Sequence, residues 1–167
     1  RLRNIIVSRG IQGIIAMPWV SGVGTLDLDV EAFCISTAGY SIIDPIVNRA
    51  CTNYLQMMDE LIEQVCRLGY KRIGFVMTYP RGGIGHKLFA SSFLYYSMFI
   101  GESQRIPILP KSKICPENVD KWMKDSEPDV VISDGSVYKI LVELGYKIPE
   151  NLGFAALDTA KGPVDAS

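Results

Sequence analysis

Short apolar runs that alternate with helical patterns constrain the fold of this chain more than any other feature. The runs occupy residues 13–17, 32–35, 73–77, 130–132 and 153–157. Each is followed by Pro or by a polar residue, and runs of this kind are typical of strands buried on both faces of a parallel sheet. The order of strands and helices therefore predicts an α/β fold with parallel sheets flanked by helices.

The helices predicted between these runs follow from the spacing of their apolar residues. The clearest helix carries five such residues on one face, namely Tyr54, Met58, Leu61, Val65 and Leu68. Asn53 can cap its start, and Gly69 can end it. Other helices are predicted over 1–9, 86–100, 117–126 and 136–144, whereas 19–29 and 36–53 are predicted as loops, the second with a brief extended segment.

The residues that directly follow the predicted strands are the candidates for function. Right-handed crossovers bring the carboxyl ends of parallel strands to one edge of a sheet, and α/β sheets bind their ligands outside that edge. The segments that fall there are 17–20, 36–40, 78–87, 133–136 and 158–159.

Composition and charge exclude several classes of function. The 167 residues contain 17 Lys and Arg against 18 Asp and Glu, for a net charge of -1. A chain this neutral lacks the basic surface that a nucleic-acid backbone requires. Its 48% of hydrophobic residues is typical of a globular protein and excludes a disordered one. No apolar run approaches the roughly 18 residues of a membrane span.

The cysteines and the single histidine do not form a metal-binding pattern. Cys34, Cys51, Cys66 and Cys115 lack the C-x-x-C spacing of zinc and redox sites, and only His86 is available to complete a metal shell. We therefore expect free, buried thiols and no metal or other cofactor.

A Gly-rich segment at 81–87 invites comparison with a phosphate-binding loop. That loop requires Gly-Lys followed by Ser or Thr, but here His86 follows Gly85 and Leu88 follows Lys87. The segment is therefore not predicted to bind a nucleotide. Lys87 lies near a predicted helix start at the ligand edge, where its ammonium group either reaches a ligand oxygen or is simply solvated.

Asp134 directly follows the strand 130–132 and its flanking Ser133. A carboxylate at this position accepts hydrogen bonds from ligand hydroxyls, or it caps the helix that follows, or it does both. Trp19 either stacks on an apolar ligand face or closes its loop over the core.

The remaining aromatic residues at helical spacing are predicted to pack in the core, namely Phe93, Tyr95, Tyr96, Phe99 and Trp122. No arrangement of nucleophile, base and acid is recognisable, so the sequence does not predict an enzyme.

Four segments together resemble the effector-binding part of LacI/GalR-type transcription regulators. They are 13–18 (GIIAMP), 68–75 (LGYKRIGF), 127–134 (EPDVVISD) and 144–154 (LGYKIPENLGF). They occur in the order and spacing of that family and span most of the chain.

This resemblance implies a two-lobed, periplasmic-binding-protein-like type 1 fold, incomplete at both ends. The first lobe is expected over 1–48, the second over 49–157, and a return to the first over 158–167. Because residues 1–9 read as the end of a helix, we expect a piece of a longer protein. A small sugar or polyol would bind between the lobes of a cytoplasmic homodimer, and an N-terminal helix-turn-helix absent from this sequence would bind DNA.

The resemblance also assigns roles to individual residues. Lys87 falls where the family has a cleft arginine, while Asp134 and Asp158 fall on cleft aspartates. Lys in place of Arg exchanges a planar, bidentate donor for a point charge, which holds a diol less rigidly. The apolar wall of the site is expected from Trp19, Met17 and Tyr79, which completes the predicted set.

Two other readings stay open at the level of sequence. An exported solute-binding receptor of a sugar transporter would share the fold, and the residues that precede Arg1 would distinguish it from a regulator. A small-molecule enzyme built on an α/β sheet is the third reading, and a metal or nucleotide beside the Gly-rich segment would favour it.

Overall fold

The computed structural model describes residues 2–19, 23–28, 31–77, 84–110 and 113–157. Its helices are α1 (Leu2–Ser8), α2 (Tyr54–Arg67), α3 (Ile84–Ser97), α4 (Pro116–Ser126) and α5 (Gly135–Glu143), with a 3-10 turn at Glu102–Gln104. Its strands are β1 (Gly13–Ala16), β2 (Gly24–Thr25), β3 (Cys34–Ala38), β4 (Ile42–Asp44), β5 (Asn48–Ala50), β6 (Ile73–Met77), β7 (Leu109–Pro110), β8 (Val130–Ser133) and β9 (Gly153–Ala156). None of the helices in these ranges is long and apolar enough to cross a membrane.

The described residues divide into two compact units. Those up to Asn53 belong to the first unit, and those from Tyr54 to Leu157 belong, apart from Ile84 and Gly85, to the second.

The second unit is built on a parallel sheet with the strand order β7-β6-β8-β9. Alternate residues of its two central strands face opposite sides of the sheet. Phe75 and Ile132 pack in one buried cluster with residues of α2 and α3, and Val76 and Val131 pack in another with residues of α4 and α5. The predicted parallel sheet with helices on both faces is therefore confirmed for this unit.

Trp122 fixes the distance between α4 and the sheet. Its indole N–H donates to the Pro107 carbonyl at 2.8 Å, and its ring lies against Gly74, where a Cβ would come within 2.5 Å of it. Only glycine allows this approach, and the predicted packing role of Trp122 is confirmed.

Two charged residues hold the starts of β6 and β8 together through the main chain. The Asp129 carboxylate accepts from the N–H groups of Lys71 at 2.8 Å and Arg72 at 3.0 Å. The Arg72 guanidinium in turn donates to the carbonyls of Glu127 at 2.8 Å, Ser103 at 2.5 Å and Ser126. We call this arrangement the 72–129 joint. Arg72 and Asp129 lie in two of the four segments on which the family resemblance rests, 68–75 and 127–134.

The first unit contains a parallel sheet in the order β1-β3-β5 and a separate pair of parallel strands, β2 and β4. Its buried hydrophobic cluster is small and centres on Ile6, Phe33 and Ile35. Strand β1 lies at the edge of its sheet and leaves Ile15 75% exposed.

The prediction of a loop over 36–53 is wrong for much of that segment. Strands β4 and β5 lie within it, and β3 extends to Ala38. Main-chain pairing holds β5, since Ser36, Thr37 and Ala38 pair with a strand whose own residues are all exposed. No apolar pattern marks such a strand in the sequence.

Two further expectations are corrected. Leu68, which was predicted on the buried face of α2, is 77% exposed and follows the end of that helix. The buried residues of α2 are Met58 and Val65, as predicted, together with Ile62. The thiols are free, as expected, but they are not buried, because Cys34 and Cys66 are exposed and the other two are half-buried.

Two of the aromatic residues that the sequence assigned to packing are also corrected. Phe93 is buried and Tyr96 is half-buried, as core residues are, but Tyr95 and Phe99 are exposed.

Candidate functional site

The carboxyl edge of the second unit's sheet brings two of the predicted site residues to one place in the fold. Strands β6 and β8 are parallel neighbours, so their carboxyl ends lie side by side. Asp134 directly follows β8, and Lys87 lies in the first turn of α3, the helix that follows β6 along the chain. Helices α3 and α5 both begin at this edge, so the positive ends of their backbone dipoles lie there as well.

Asp134 caps helix α5. Its Oδ1 accepts from the backbone N–H of Ser136 at 2.8 Å and from the Ser136 hydroxyl at 2.5 Å. The residue as a whole is half-buried, and its hydrogen bonds with Ser136 are exposed. The capping role that the sequence allowed is therefore confirmed, while the ligand role stays a prediction. The hydrogen bonds between Ser136 and Asp134 were not predicted. An Asp side chain nevertheless commonly accepts from the backbone N–H two residues later in a turn.

Ser133 takes no part in the edge itself. It is fully buried, and its hydroxyl donates to the Val76 carbonyl at 2.8 Å, which links β8 to β6 beneath Asp134. The buried hydroxyl of Ser133 thus has a hydrogen-bond partner within the sheet.

Lys87 is exposed, and in the described part of the chain no ion pair includes it. Its own carbonyl accepts from the Ser91 hydroxyl at 2.6 Å. A cation in the first turn of a helix opposes the backbone dipole, which favours anions there. The position is therefore unfavourable for helix stability and available for a ligand.

Met17 and Trp19 lie together in the first unit. Both line a hollow of about 480 Å³ whose other lining residues are also apolar or glycine, namely Ile6, Ile11, Gly13, Ile14, Ile15, Ala16, Leu26, Leu28 and Ile42. The backbone N–H of Trp19 donates to the Ser41 hydroxyl at 2.8 Å. The Trp19 indole lies so close to Gly24 that a Cβ there would be 2.8 Å from Nε1. Among the described residues, those that line the hollow offer apolar contact but no polar side chain for a sugar hydroxyl apart from the Trp19 indole.

The other two predicted residues, Tyr79 and Asp158, lie outside the described residues. Of the predicted set, the fold thus groups Lys87 with Asp134 in the second unit and Met17 with Trp19 in the first.

Comparison with known proteins gives structural matches only. No protein-family model matches the chain, and no curated protein matches it. A regulatory protein of the LacI family from Chloroflexus aggregans superposes with a TM-score of 0.64 at 15% identity, covering 96% of this chain and 61% of that one. The chain shares the fold of LacI-family regulators.

Two further neighbours were solved with bound molecules. A periplasmic binding protein/LacI transcriptional regulator from Alkaliphilus metalliredigens, complexed with D-xylulofuranose, matches with a TM-score of 0.64 at 14% identity over 95% of this chain and 60% of that one. A sugar-binding LacI-family regulator from Escherichia coli, complexed with phosphate, matches with a TM-score of 0.60 at 11% identity over 95% and 61%. These neighbours are regulators and not enzymes, and this chain spans about 60% of their length.

Proposed function

We propose that this chain is the effector-sensing part of a LacI-like transcription regulator and that it binds a small sugar or polyol. The observation that carries the proposal is the placement of a cation, Lys87, and a carboxylate, Asp134, on neighbouring strand–helix connections at one sheet edge. The shared fold, together with the sugar complex of one structural neighbour, supports it.

The two groups complement the chemistry of a sugar hydroxyl, which both donates and accepts hydrogen bonds. A hydroxyl donates to the Asp134 carboxylate and accepts from the Lys87 ammonium group, which has donors only. Among the described residues no ion pair includes Lys87, and a polyol oxygen would accept from its ammonium group.

Regulation in this proposal is a shift between two conformations of a cytoplasmic homodimer, with DNA bound by a segment outside these residues. A ligand shifts such an equilibrium only by as much as its affinities for the two conformations differ. About 5.5 kcal/mol of difference moves a population from 1:99 to 99:1.

The proposal is tested by calorimetry on the whole gene product with D-xylulose, cellobiose and glycerol as probes. Asp134→Ser is the decisive variant, because Ser is itself a favoured N-cap and keeps α5 capped while the carboxylate is lost. We expect at least one probe to bind the wild type, and its affinity to fall at least tenfold in Asp134→Ser and in Lys87→Met.

Asp134→Ala serves as the stability control, since it removes the cap as well and is expected to cost about 1 kcal/mol. Unchanged affinity in both Asp134→Ser and Lys87→Met would remove these residues from the site. Failure of every sugar and polyol probe to bind at millimolar concentration would reject the proposed ligand class.

A further inference from the structure

Strand β8 ends on a buried hydroxyl at a place where the sheet otherwise carries apolar side chains. Ser133 is fully buried, and the three residues that precede it in the strand, Val130, Val131 and Ile132, are all apolar. A buried polar group costs free energy unless it has a hydrogen-bond partner. A serine at this position is therefore of value only for the contacts that it makes.

Ser133 contacts the ends of both neighbouring strands. Its hydroxyl donates to the Val76 carbonyl at 2.8 Å, one residue before β6 ends. Its carbonyl accepts from the N–H of Leu157 at 2.9 Å, directly after the end of β9. One residue thus holds three strand ends together at the carboxyl edge of the sheet, and we call these two contacts the Ser133 tie.

Each strand end in the Ser133 tie leads to a residue of the candidate site. Asp134 follows Ser133 directly, β6 is followed along the chain by α3 with Lys87, and Asp158 follows Leu157 in the sequence. Asp134 depends most closely on the tie, because a single planar peptide unit joins its Cα to that of Ser133. A shift of Ser133 therefore moves Asp134 first.

The first unit contains the same kind of contact in an independent sheet. Thr37 is 2% exposed and pairs with Ala16 in the register of β3 and β1, and its hydroxyl donates to the Ala16 carbonyl at 3.1 Å. Ser133 lies beside Val76 in the same way, by the register of β8 and β6. Either hydroxyl residue can therefore make this contact near the carboxyl end of a parallel strand.

We propose that Ser133 is a positioning residue for ligand binding, because the Ser133 tie fixes the place at which Asp134 presents its carboxylate. Ser133 is buried beneath the edge and acts only through Asp134. The proposal deepens the function proposed above and rests on it for the ligand role of Asp134.

The double use of Asp134 makes its position critical. Its carboxylate caps α5 through Ser136, and in the proposed function it also accepts from a ligand hydroxyl. A binding group has to be held within about 0.5 Å of its productive place by the residues that support it. Loss of the Ser133 tie should therefore disturb both the start of α5 and the affinity for a ligand.

The first test is hydrogen–deuterium exchange with mass spectrometry on the whole gene product. Ser133→Ala removes the hydroxyl, and Ser92→Ala is its matched control, since Ser92 is 4% exposed and its hydroxyl donates to the Asp59 carboxylate between α3 and α2. We expect Ser133→Ala to accelerate exchange in α5, and Ser92→Ala to leave α5 unchanged, because local opening follows the local contacts that are lost.

The second test is calorimetry with D-xylulose, cellobiose and glycerol. For a probe that binds the wild type, we expect Ser133→Ala to lower the affinity by about fivefold or more and Ser92→Ala to leave it unchanged. Ser133→Thr keeps the hydroxyl and should restore both the affinity and the slow exchange of α5. A loss of stability alone would not distinguish the two alanine variants in this way.

Unchanged exchange of α5 in Ser133→Ala, or an affinity that falls no further than in Ser92→Ala, overturns the proposal. A folded Ser133→Thr variant that behaves like Ser133→Ala overturns it as well, since the hydroxyl would then not be the decisive group. If no sugar or polyol probe binds the wild type, the proposed ligand class fails by itself, and the exchange of α5 still decides whether Ser133 positions Asp134.

Discussion

At the scale of single residues, the two charged side chains at the starts of β6 and β8 act on the main chain. Arg72 and Asp129 have opposite charges and lie close together, yet in the described part of the chain no ion pair joins them. Each instead bonds to backbone groups at the start of a strand. The loss of a half-buried hydrogen bond, such as those of the Arg72 N–H and the Ser126 carbonyl, costs more than an exposed ion pair contributes.

Replacement of Arg72 by Ala should therefore destabilise the second unit. Three carbonyls lose their donor at once, of which only that of Ser126 belongs to a buried residue, and we expect a loss of about 1–2 kcal/mol in the free energy of unfolding. Arg67→Ala is the matched control, because its exposed pair with Glu63 should contribute no more than about 0.5 kcal/mol. Urea unfolding followed by circular dichroism measures both; equal losses would show that the 72–129 joint adds no stability.

The sequence predicted the position of Asp134 but could not decide its role. A polar residue after a buried strand is visible in the sequence, because strand ends follow from the apolar run. Whether its oxygens turn towards the next helix depends on Ser136, which is visible only as a local turn pattern. Ser133, one residue earlier, is buried against Val76, a partner 57 positions away that no local pattern reveals.

At the scale of elements, apolar periodicity located the helices and the buried strands well. It could not predict β5, because main-chain pairing and not side-chain burial defines that strand. It also missed β4, in which only Ile42 is buried. It also could not tell which face of α3 is covered, because both faces are apolar and only the packed structure distinguishes them.

The edge position of β1 predicts a tendency to aggregate. Among the described strands β1 pairs only with β3, its residues line an apolar hollow, and Ile15 is 75% exposed. Exposed apolar edges pair with other chains, and charged side chains prevent this. We expect Ile15→Lys to slow the aggregation of the 167-residue chain, measured by light scattering on heating.

Ile46→Lys is the appropriate comparison, since Ile46 is 91% exposed but lies between β4 and β5. It adds the same charge without blocking the edge. If both variants slow aggregation equally, the charge alone is responsible and the edge of β1 is not.

At the scale of the whole molecule, the two units differ in how much core they contain. The second unit has a buried hydrophobic cluster on each face of its sheet. The hydrophobic cluster of the first unit is restricted to a few residues around Ile6, Phe33 and Ile35. The α/β class with parallel sheets was predictable, because strand–helix alternation determines it. The difference in core size between the units was not predictable from the sequence, because it depends on which apolar residues become buried.

This difference predicts that the units lose structure separately. Elements with few buried contacts open at lower free energy than the core of a fold. We expect amide hydrogens of β3 to exchange with solvent faster than those of β8 under native conditions, as measured by hydrogen–deuterium exchange and mass spectrometry. Equal protection of both strands would instead indicate a single cooperative unit.

The 72–129 joint has a consequence for how such a protein can diversify. The carbonyls and amides that it binds exist whatever side chains those positions carry, so the joint constrains the path of the backbone and almost nothing else. Descendants of this gene can therefore exchange the residues at the opposite ends of the same strands while the scaffold persists. Evolution of a new chemical preference then needs only a few substitutions and no redesign of the framework.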